Sequence, residues 1–313
     1  NDANVDAVVF FLGLGRRYGE QIAQTLREVA ATASKPLLVA WIAGPAPIIA
    51  QLRSEGVPVL PSATRTVRAL GARPTRSFSL AAPSATPIVA SGGAGRCSEA
   101  QTKTLLQHYG MRRLDEALVG SEDEAVERAR AIGFPVVLKV CAADLMHKTE
   151  AGAVALNLRD DAAVRVAYRH ILEGALRYSP GLAVEGVLVS PMAGDGIEVI
   201  VGARRDPVFG PVVMVGSGGI YTELLHDAAI GVLPLAPGEA QALIRSLRIH
   251  PLLAGARGKP PADIDALADC VEAVATLMLE HPEVSEIEIN PLRVFERGRG
   301  AIPLDALMVV GES

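Results

Sequence analysis

A single lysine interrupts an apolar stretch near the middle of the chain. Lys139 lies in the run Pro135–Val140, and the loop that follows carries His147 and Lys148 side by side. An ammonium group inside a buried strand is costly unless an anion meets it. Two cations and a histidine in close succession therefore indicate a phosphate. A lysine that reaches solvent from the end of a strand, beside a merely polar loop, would give the same pattern.

Oxygen-bearing side chains gather in the last part of the chain. Glu288 and Asn290 flank Ile289, and the two-residue repeat of a strand places both polar side chains on one face. Asp305 belongs to the strand that we expect to return beside them. Carboxylate and amide oxygens suit Mg²⁺, which also takes oxygens from substrate phosphates. The sequence thus predicts a magnesium site, with a solvated sheet face of alternating polar residues as the alternative.

A third set of residues is suited to a nucleotide base. The apolar strand Gly186–Ser190 ends just before Pro191 and Met192. Backbone groups at Val189 and Ser190 can pair with a planar base, and the soft side chain of Met192 can form an apolar wall beside it. Glu198, eight residues later, could meet a ribose hydroxyl. Any edge hairpin has a similar pattern, so these residues alone do not specify a nucleotide.

Two glycine-rich segments resemble anion-binding loops. Gly218 and Gly219 lie between an expected strand and an expected helix over Tyr221–Ala228. Free N–H groups at a helix N-terminus bind anions, although a flexible turn would also contain glycines. The segment Ser91–Arg96 reads SGGAGR but lacks the Lys-Ser/Thr pair of a phosphate loop, so we assign it to a linker.

The elements that must position these residues fall into two groups. Strand and helix patterns alternate over residues 1–72, beginning with the apolar run Val5–Leu12, and predict a small, doubly wound α/β domain. Residues 73–97 are rich in Pro, Ala, Ser and Gly and predict a linker. Hairpins and helices mix over residues 98–313, which predicts a second domain of α+β character.

Composition limits the classes of function. Half of the 313 residues are hydrophobic, which is enough for sizeable cores. The net charge of −5 argues against nucleic-acid binding, which needs a basic face. No apolar run approaches the roughly 20 residues that span a bilayer. The three cysteines lack metal-ligand spacing, so we expect free thiols and a cytoplasmic location. Because the chain starts at Asn1 rather than Met, we expect it to be part of a longer protein.

Five segments between about Ser98 and Val310 together resemble one known family. They read EAQTKTLLQHYG, AIGFPVVLKV, HKTEAGAVALNL, EVIVGARRDPVFGPVVMVGSGGIYTELLHDAAI and SEIEINPL. In order and spacing they are similar to the ATP-grasp region of the NDP-forming (ADP-forming) acyl-CoA synthetases, relatives of the succinyl-CoA synthetase β subunit. The first 72 residues resemble the small flavodoxin-like domain that precedes this region in single-chain members. The resemblance implies an ATP-grasp domain of two lobes over residues 98–313.

The resemblance assigns the nucleotide-binding residues. Lys139 matches the ATP-grasp lysine on the nucleotide phosphates, Val189 and Ser190 match the adenine hinge, and Glu198 matches a glutamate that contacts the nucleotide. Lys148 is an additional candidate for phosphate binding, as are Gly218 and Gly219.

The resemblance also assigns the metal site and the reacting group. Glu288, Asn290 and Asp305 match the Mg²⁺ site, and His147 matches a histidine that relays phosphate between a phosphohistidine and the nucleotide. One departure is Gly152-Ala153, where the family usually has a glycine pair.

The resemblance implies a reaction in which ATP, a carboxylic acid and CoA are converted to ADP, phosphate and acyl-CoA. The family's CoA-binding domain and the domain with its other phosphohistidine are expected before Asn1. We therefore predict a fragment or subunit of a larger enzyme, working as a homo-oligomer or in complex with those domains. The alternatives are the synthetase-like regulatory part of a protein lysine acetyltransferase and an ATP-grasp ligase that joins acid to amine. The acid and the choice between ATP and GTP stay open.

Overall fold

The computed structural model describes residues 5, 7–13, 16–71, 88, 90–91, 95–219, 227–256, 258 and 260–311. The chain divides into two compact units, Asn1–Ser79 and Leu80–Ser313. Within the described ranges, no helix has the length and apolar composition to cross a membrane.

The first unit is a three-stranded parallel sheet with helices. Its elements are β1 (Val8–Leu12), a 3-10 turn (Arg16–Tyr18), α1 (Gly19–Thr32), β2 (Leu37–Trp41), α2 (Ala46–Ser54), β3 (Val59–Leu60) and α3 (Ala63–Gly71). The strands lie in the order β1-β2-β3. The connections β1-α1-β2 and β2-α2-β3 each move one strand along the sheet in the same direction. Because such connections have the same handedness, both helices lie on the same face of the sheet, where α1 contacts α2. The reversal of strand order that defines a doubly wound sheet is not found among the described strands.

The first strand differs from its prediction. We expected the run Val5–Leu12 to be buried on both faces, but Phe10 and Phe11 are 47% and 56% exposed in this unit. The reason is that β1 is an edge strand of a sheet too small to cover it. The core of the unit lies instead around Trp41 and Leu52, which are fully buried.

The second unit begins with a four-stranded antiparallel sheet, here called the small sheet. Its strands β5 (Ala117–Val119), β6 (Val136–Cys141), β7 (Val154–Leu158) and β8 (Gly186–Pro191) have the order β5-β8-β6-β7. Helices α5 (Glu122–Ile132) and α6 (Asp161–Tyr178) pack against it. The Ser121 hydroxyl accepts from the Glu124 N–H at 3.2 Å, as the S-x-x-E pattern predicts for the start of α5.

The rest of the second unit is built on a seven-stranded antiparallel sheet, here called the large sheet. Six strands follow the order β11-β10-β9-β12-β14-β4, and β13 pairs with β12. The strands are β4 (Arg96–Cys97), β9 (Ile197–Asp206), β10 (Gly210–Ser217), β11 (Ala228–Val232), β12 (Val284–Val294), β13 (Ala301–Pro303) and β14 (Ala306–Val310). The helices are α4 (Glu99–His108), α7 (Glu239–Ser246), α8 (His250–Leu253) and α9 (Ile264–Glu280).

The alternation in β12 works as predicted. Ile287 and Ile289 are buried in the core on which α9 packs, so Glu288 and Asn290 lie on the other face.

Two other segments differ from the secondary structure that the sequence predicts for them. Arg96 and Cys97, assigned to the linker, form β4 and pair with β14. The helix expected over Tyr221–Ala228 falls largely outside the described residues, and Ala228 itself begins β11.

Candidate active site

A cleft of about 570 Å³ lies between the small and large sheets. It brings together side chains that are far apart in the sequence and come from both sheets. The predicted site residues that line it are Lys139, His147, Lys148, Ser190, Glu198, Asn290 and Asp305. Predicted residues that lie elsewhere are Val189, Gly218, Gly219 and Glu288.

Lys139 occupies the middle of the small sheet, where β6 pairs with β7 and β8. Its ammonium group donates to Glu99 Oε1 at 3.0 Å and to the Leu304 carbonyl. An ammonium group has three N–H donors, so one remains for a ligand. The side chain is 14% exposed and reaches the cleft. The anion that the sequence pattern demanded is therefore partly supplied by the protein itself.

The carboxylate of Glu99 is fully buried at the first residue of α4. It meets Lys103 at 2.6 Å, Lys139 at 3.0 Å and Lys148 at 3.0 Å. Burial opposes ionisation, but the three ammonium groups hold the pKa of Glu99 well below its usual value. Glu99 is thus an anion shared by two lysines of the cleft, and sequence reasoning missed it.

Lys148 and Asp305 link the two sheets directly. The Lys148 ammonium group donates to both carboxylate oxygens of Asp305, at 2.7 and 2.8 Å. Burial lowers the pKa of Lys148, but Glu99 and Asp305 outweigh it and raise the pKa above the usual value. Burial and the nearby charge of Glu99 raise the pKa of Asp305, and the two lysines of the cleft oppose this rise. A further cation at Asp305 would favour its ionised form.

The predicted metal ligands divide into two groups. The Asn290 N–H donates to the Asp305 carbonyl at 3.1 Å, so these two residues are neighbours at the cleft. Glu288 lies away from the cleft, and its Oε1 accepts from the Asn290 side-chain amide at 2.9 Å. That bond leaves the amide oxygen of Asn290 available. Among the described residues, no group of three or more His, Cys, Asp and Glu side chains forms a metal site.

Asn290 and Asp305 nevertheless fit Mg²⁺, because this ion is commonly held by one or two protein oxygens together with substrate phosphates. Lys139 and Lys148, which the sequence predicts to bind phosphate, line the same cleft. Glu288 does not line the cleft and is bonded to the Asn290 side chain. The three-ligand set therefore stays a prediction, in which Asn290 and Asp305 are the two members that face the cleft.

His147 lies exposed in the loop between β6 and β7. Its carbonyl accepts from the Ala151 N–H at 3.0 Å, which closes the loop into a helical turn. Lys148, the next residue, is tied to Asp305 and Glu99. The imidazole therefore stands at the cleft on a loop whose neighbouring residue is fixed.

The two residues of the predicted adenine hinge, Val189 and Ser190, differ in their access to the cleft. Val189 is fully buried and pairs with both Ala117 and Leu138, so its backbone is enclosed within the small sheet. Ser190 and Met192 line the cleft, and Met192 is 39% exposed there. The strand edge that faces the cleft thus begins at Ser190.

Glu198 has a partner that the sequence analysis missed. Its Oε1 accepts from Arg293 Nη2 at 2.7 Å, and Arg293 Nη1 donates to the Gly194 carbonyl at 3.0 Å. Arg293 lies in β12 between the buried residues Leu292 and Val294. A charged residue in an apolar run was the signal that identified Lys139, and the same reasoning could have identified Arg293.

The glycines Gly218 and Gly219 pack against Glu198 in an adjoining cavity of about 550 Å³. The Gly218 N–H donates to the Glu198 carbonyl at 3.0 Å. A Cβ at Gly218 would lie 2.8 Å from the Glu198 carbonyl carbon, and one at Gly219 would lie 2.5 Å from its Oε2. Close packing against the Glu198 backbone thus explains Gly218, and a left-handed φ of 61° explains Gly219. The phosphate-binding role of both glycines stays a prediction.

Comparison with known proteins decides the family. A sequence model described as an ATP-grasp domain matches residues 89–310. The β subunit of acetate–CoA ligase (ADP-forming) I from Pyrococcus furiosus is 42% identical over 212 residues, which are 68% of this chain and 90% of that subunit. The chain belongs to the ADP-forming acyl-CoA synthetases of the ATP-grasp class. The family predicted from the sequence is confirmed, and its nucleotide and metal cofactors are ATP and Mg²⁺.

Two other similar proteins extend the comparison. Trans-feruloyl-CoA synthase FCS1, from an unknown prokaryotic organism, is 37% identical over 287 residues, covering 89% of this chain and 41% of that protein. Acetyl-coenzyme A synthetase 1 from Ca. Korarchaeum cryptofilum, solved with coenzyme A and Ca-AMPCP, is 38% identical with a TM-score of 0.66. The match covers 70% of this chain and 94% of that one.

The same enzyme has also been solved with coenzyme A and Mg-AMPPCP, with a phosphohistidine segment pointing towards the nucleotide binding site. That structure is 35% identical, with a TM-score of 0.59, over 69% of this chain and 93% of its own. The chain thus spans nearly all of a separate β subunit and less than half of a single-chain relative.

Proposed function

We propose that this chain performs the nucleotide step of acyl-CoA synthesis, in which a phosphoryl group passes between MgATP and His147. The observation that carries the proposal is the convergence of both sheets on one cleft. Lys139 and Lys148 come from the small-sheet side, Asp305 and Asn290 come from the large-sheet side, and an exposed imidazole stands beside them. Phosphoryl transfer requires mainly positioning and charge neutralisation.

The residues divide this work between them. The free donor of Lys139 binds a phosphate oxygen, and the lysines together offset the negative charge of the triphosphate. Asn290 and Asp305 hold Mg²⁺, which supplies further neutralisation at the phosphate oxygens. The strand edge from Ser190 and the carboxylate of Glu198 hold the base and the ribose. These roles orient the terminal phosphate towards the His147 loop.

The transfer itself needs a neutral imidazole. A ring nitrogen of His147 that carries a lone pair attacks the γ-phosphorus, and a P–N bond forms. The bond to the β,γ-bridging oxygen breaks, and ADP leaves with that electron pair. The reverse reaction makes ATP from phosphohistidine and ADP. His147 could therefore pass the group between the nucleotide and a second phosphohistidine on another domain.

The complete reaction requires parts that we place outside these residues. CoA and the carboxylic acid would bind mainly to further domains, with this chain acting as a subunit or region of the whole enzyme, as in the β subunit from Pyrococcus furiosus. We further propose that residues 1–72 belong to a flavodoxin-like domain, a view supported by the match to FCS1 over 89% of this chain. The cytoplasmic location is part of the same proposal.

Labelling of the histidine tests the nucleotide step directly. The 313-residue chain is incubated with Mg²⁺ and ATP labelled at the γ-phosphate. We expect one acid-labile, base-stable phosphate per chain, and we expect its loss in His147→Asn. His170→Asn is the control, because His170 is also exposed but lies on α6 away from the cleft. Labelling that persists in His147→Asn would remove the relay role.

The whole activity is tested with the full-length gene product. We expect ADP release that depends on both CoA and a carboxylic acid, and a screen of acids then identifies the substrate. One ADP per chain accompanies phosphorylation of His147 and needs no CoA. Release of many ADP per chain without CoA, or with an amine acceptor in place of the thiol, would contradict the assignment as an acid–thiol ligase.

A further inference from the structure

A buried network of charges lies directly behind the cleft. Lys103 is 2% exposed, and its ammonium group donates to Glu99 at 2.6 Å, Glu116 at 3.2 Å and the Leu304 carbonyl at 2.8 Å. All three of its N–H donors are therefore used within the protein. The Leu304 carbonyl also accepts from Lys139. The network thus ties α4 to the residue just before Asp305.

Glu99 is the member of this network that reaches the lysines of the cleft. Its Oε1 accepts a hydrogen bond from Lys139 at 3.0 Å, and its Oε2 forms an ion pair with Lys148 at 3.0 Å. A carboxylate is rigid and planar, so its two oxygens fix how far apart the two ammonium groups lie. The side chain of Glu99 is completely buried, so it cannot itself touch a nucleotide in the cleft. Its position at the N-terminus of α4 favours the negative charge.

We propose that Glu99 is a positioning residue that holds Lys139 and Lys148 at a fixed separation for phosphoryl transfer. The inference rests on the proposed function, because it concerns the lysines that bind the phosphates. Lys148 is held from two sides, by Glu99 and by Asp305. When Asp305 serves a metal ion, Glu99 still keeps Lys148 in place. The two lysines thus reach the nucleotide already arranged.

Loss of the charge at Glu99 has two opposite effects. In Glu99→Gln the two lysines lose the anion that competes with phosphate for their charge, so a nucleotide binds more tightly. The lysines also lose their fixed separation, and misplacement by about 1 Å can slow a reaction about 100-fold. We therefore expect a Kd for MgADP that is equal or lower, together with slower labelling of His147. A purely structural role would weaken binding and labelling together.

Glu116→Gln is the matched control. Glu116 is also a buried carboxylate bound to Lys103, but its partners are Lys103 and Arg113 and not the lysines of the cleft. We expect this variant to unfold at lower denaturant concentration while Kd and the labelling rate stay unchanged. The comparison separates the loss of a buried charge from the loss of lysine positioning.

The experiment measures three quantities on the 313-residue chain: the denaturant midpoint, the Kd for MgADP and the single-turnover labelling rate with MgATP. In Glu99→Gln we expect labelling to be slower by about 10- to 100-fold with Kd equal or lower. A parallel loss of binding and rate, or values equal to those of Glu116→Gln, would overturn the inference. Failure of the unmodified chain to bind MgADP or to be labelled would instead overturn the proposed function.

Glu99→Asp keeps the test decisive if Glu99→Gln does not fold. Aspartate retains the charge but is one methylene shorter, so it cannot span both lysines from the same backbone position. We expect labelling slower by about 10-fold with little change in Kd. Labelling at the unmodified rate in this variant would overturn the positioning role.

Discussion

Lys139 keeps its charge in a place where burial alone would remove it. Burial lowers the pKa of its ammonium group, but the nearby carboxylates of Glu99 and Asp305 outweigh this effect and raise the pKa. The charge and the orientation of a side chain in the cleft therefore depend on the residues that it contacts. The same is true of Asn290, whose amide is oriented by Glu288. Removing a partner is expected to alter the site even when the residue that binds ligand is unchanged.

Mutation can distinguish a proposed metal ligand, Asp305, from Glu288, the residue that orients the second proposed ligand. We expect Asp305→Asn to raise the Mg²⁺ concentration needed for labelling of His147 and to slow labelling by more than about 100-fold, because it removes a ligand charge. Glu288→Ala is expected to weaken Mg²⁺ by about 10-fold, as for loss of an outer partner of a metal ligand.

The measurement is a magnesium titration of the labelling rate. Glu286→Ala is the control, since Glu286 lies two residues earlier on the same face of β12 and lacks the bond to Asn290. An effect of Glu286→Ala as large as that of Glu288→Ala would contradict the orienting role.

The three cysteines are expected to be unreactive in the folded chain. Burial raises the pKa of Cys97 to about 11 and that of Cys270 to about 12, and it also raises the pKa of Cys141. At about pH 8 roughly one Cys97 in a thousand would carry the reactive thiolate. We expect iodoacetamide to modify the native chain at least about 100-fold more slowly than the unfolded chain. Mass spectrometry after timed quenching measures both rates.

Packing between elements sets the position of the His147 loop. Gly174 lies inside α6, where glycine costs about 0.5–1 kcal/mol relative to alanine. A Cβ at this residue would lie 2.8 Å from the Ala151 carbonyl oxygen and 2.9 Å from that of Gly152. The glycine therefore allows α6 to approach the loop that follows His147. The loop at Ala151 and Gly152 thus explains why α6 contains a glycine, a residue with poor helix propensity, at this position.

Gly174→Ala is expected to be destabilising although alanine favours helices. The added methyl group must displace the loop backbone, and overpacking of this kind costs about 1–3 kcal/mol. We also expect slower labelling of His147, since the loop moves. Gly120→Ala is the control, because its Cβ would meet only Glu124 Oε2 at 3.8 Å. Urea unfolding measures the stability of each variant, and single-turnover labelling measures its rate. A Gly174→Ala variant that is more stable and is labelled at the normal rate would contradict the packing argument.

At the scale of the whole molecule, the chain consists of two units with separate cores. Among the described residues, the buried core around Trp41 comes from residues 23–59, with Leu12 and Ile22 packed against it. The cleft and both of its sheets belong to the unit Leu80–Ser313. The match to the ATP-grasp domain, residues 89–310, falls within this second unit. The nucleotide step should therefore not depend on the first unit.

Deletion of residues 1–79 tests this division. We expect residues 80–313 to unfold cooperatively, as a domain with its own core does. Their Kd for MgADP should agree with that of the 313-residue chain within a factor of about two, as for parts that act independently. Calorimetry measures both quantities. Loss of binding in a folded 80–313 chain would show that the first unit contributes to the site.

Local pattern in the sequence determined the elements and the kind of chemistry. The lysine in an apolar run, the alternation around Ile289 and the serine that caps α5 each depend on residues within one element, and so they could be interpreted without coordinates. The order and spacing of the five motif segments also predicted the family. The linker and β1 were predicted less well, because pairing of β4 with β14 and exposure of an edge strand depend on distant neighbours.

Tertiary structure alone decided which charges meet. Lys139 and Glu99 are 40 residues apart, Glu198 and Arg293 are 95 apart, and Lys148 and Asp305 are 157 apart. No periodicity extends over such separations, because contacts between different elements are set by how the sheets pack. The sequence by itself thus predicted a phosphate-binding lysine and a metal-binding strand. The fold decided that Glu99 would hold the lysines and that Glu288 would lie outside the cleft, since only packing brings α4 and both sheets to one place.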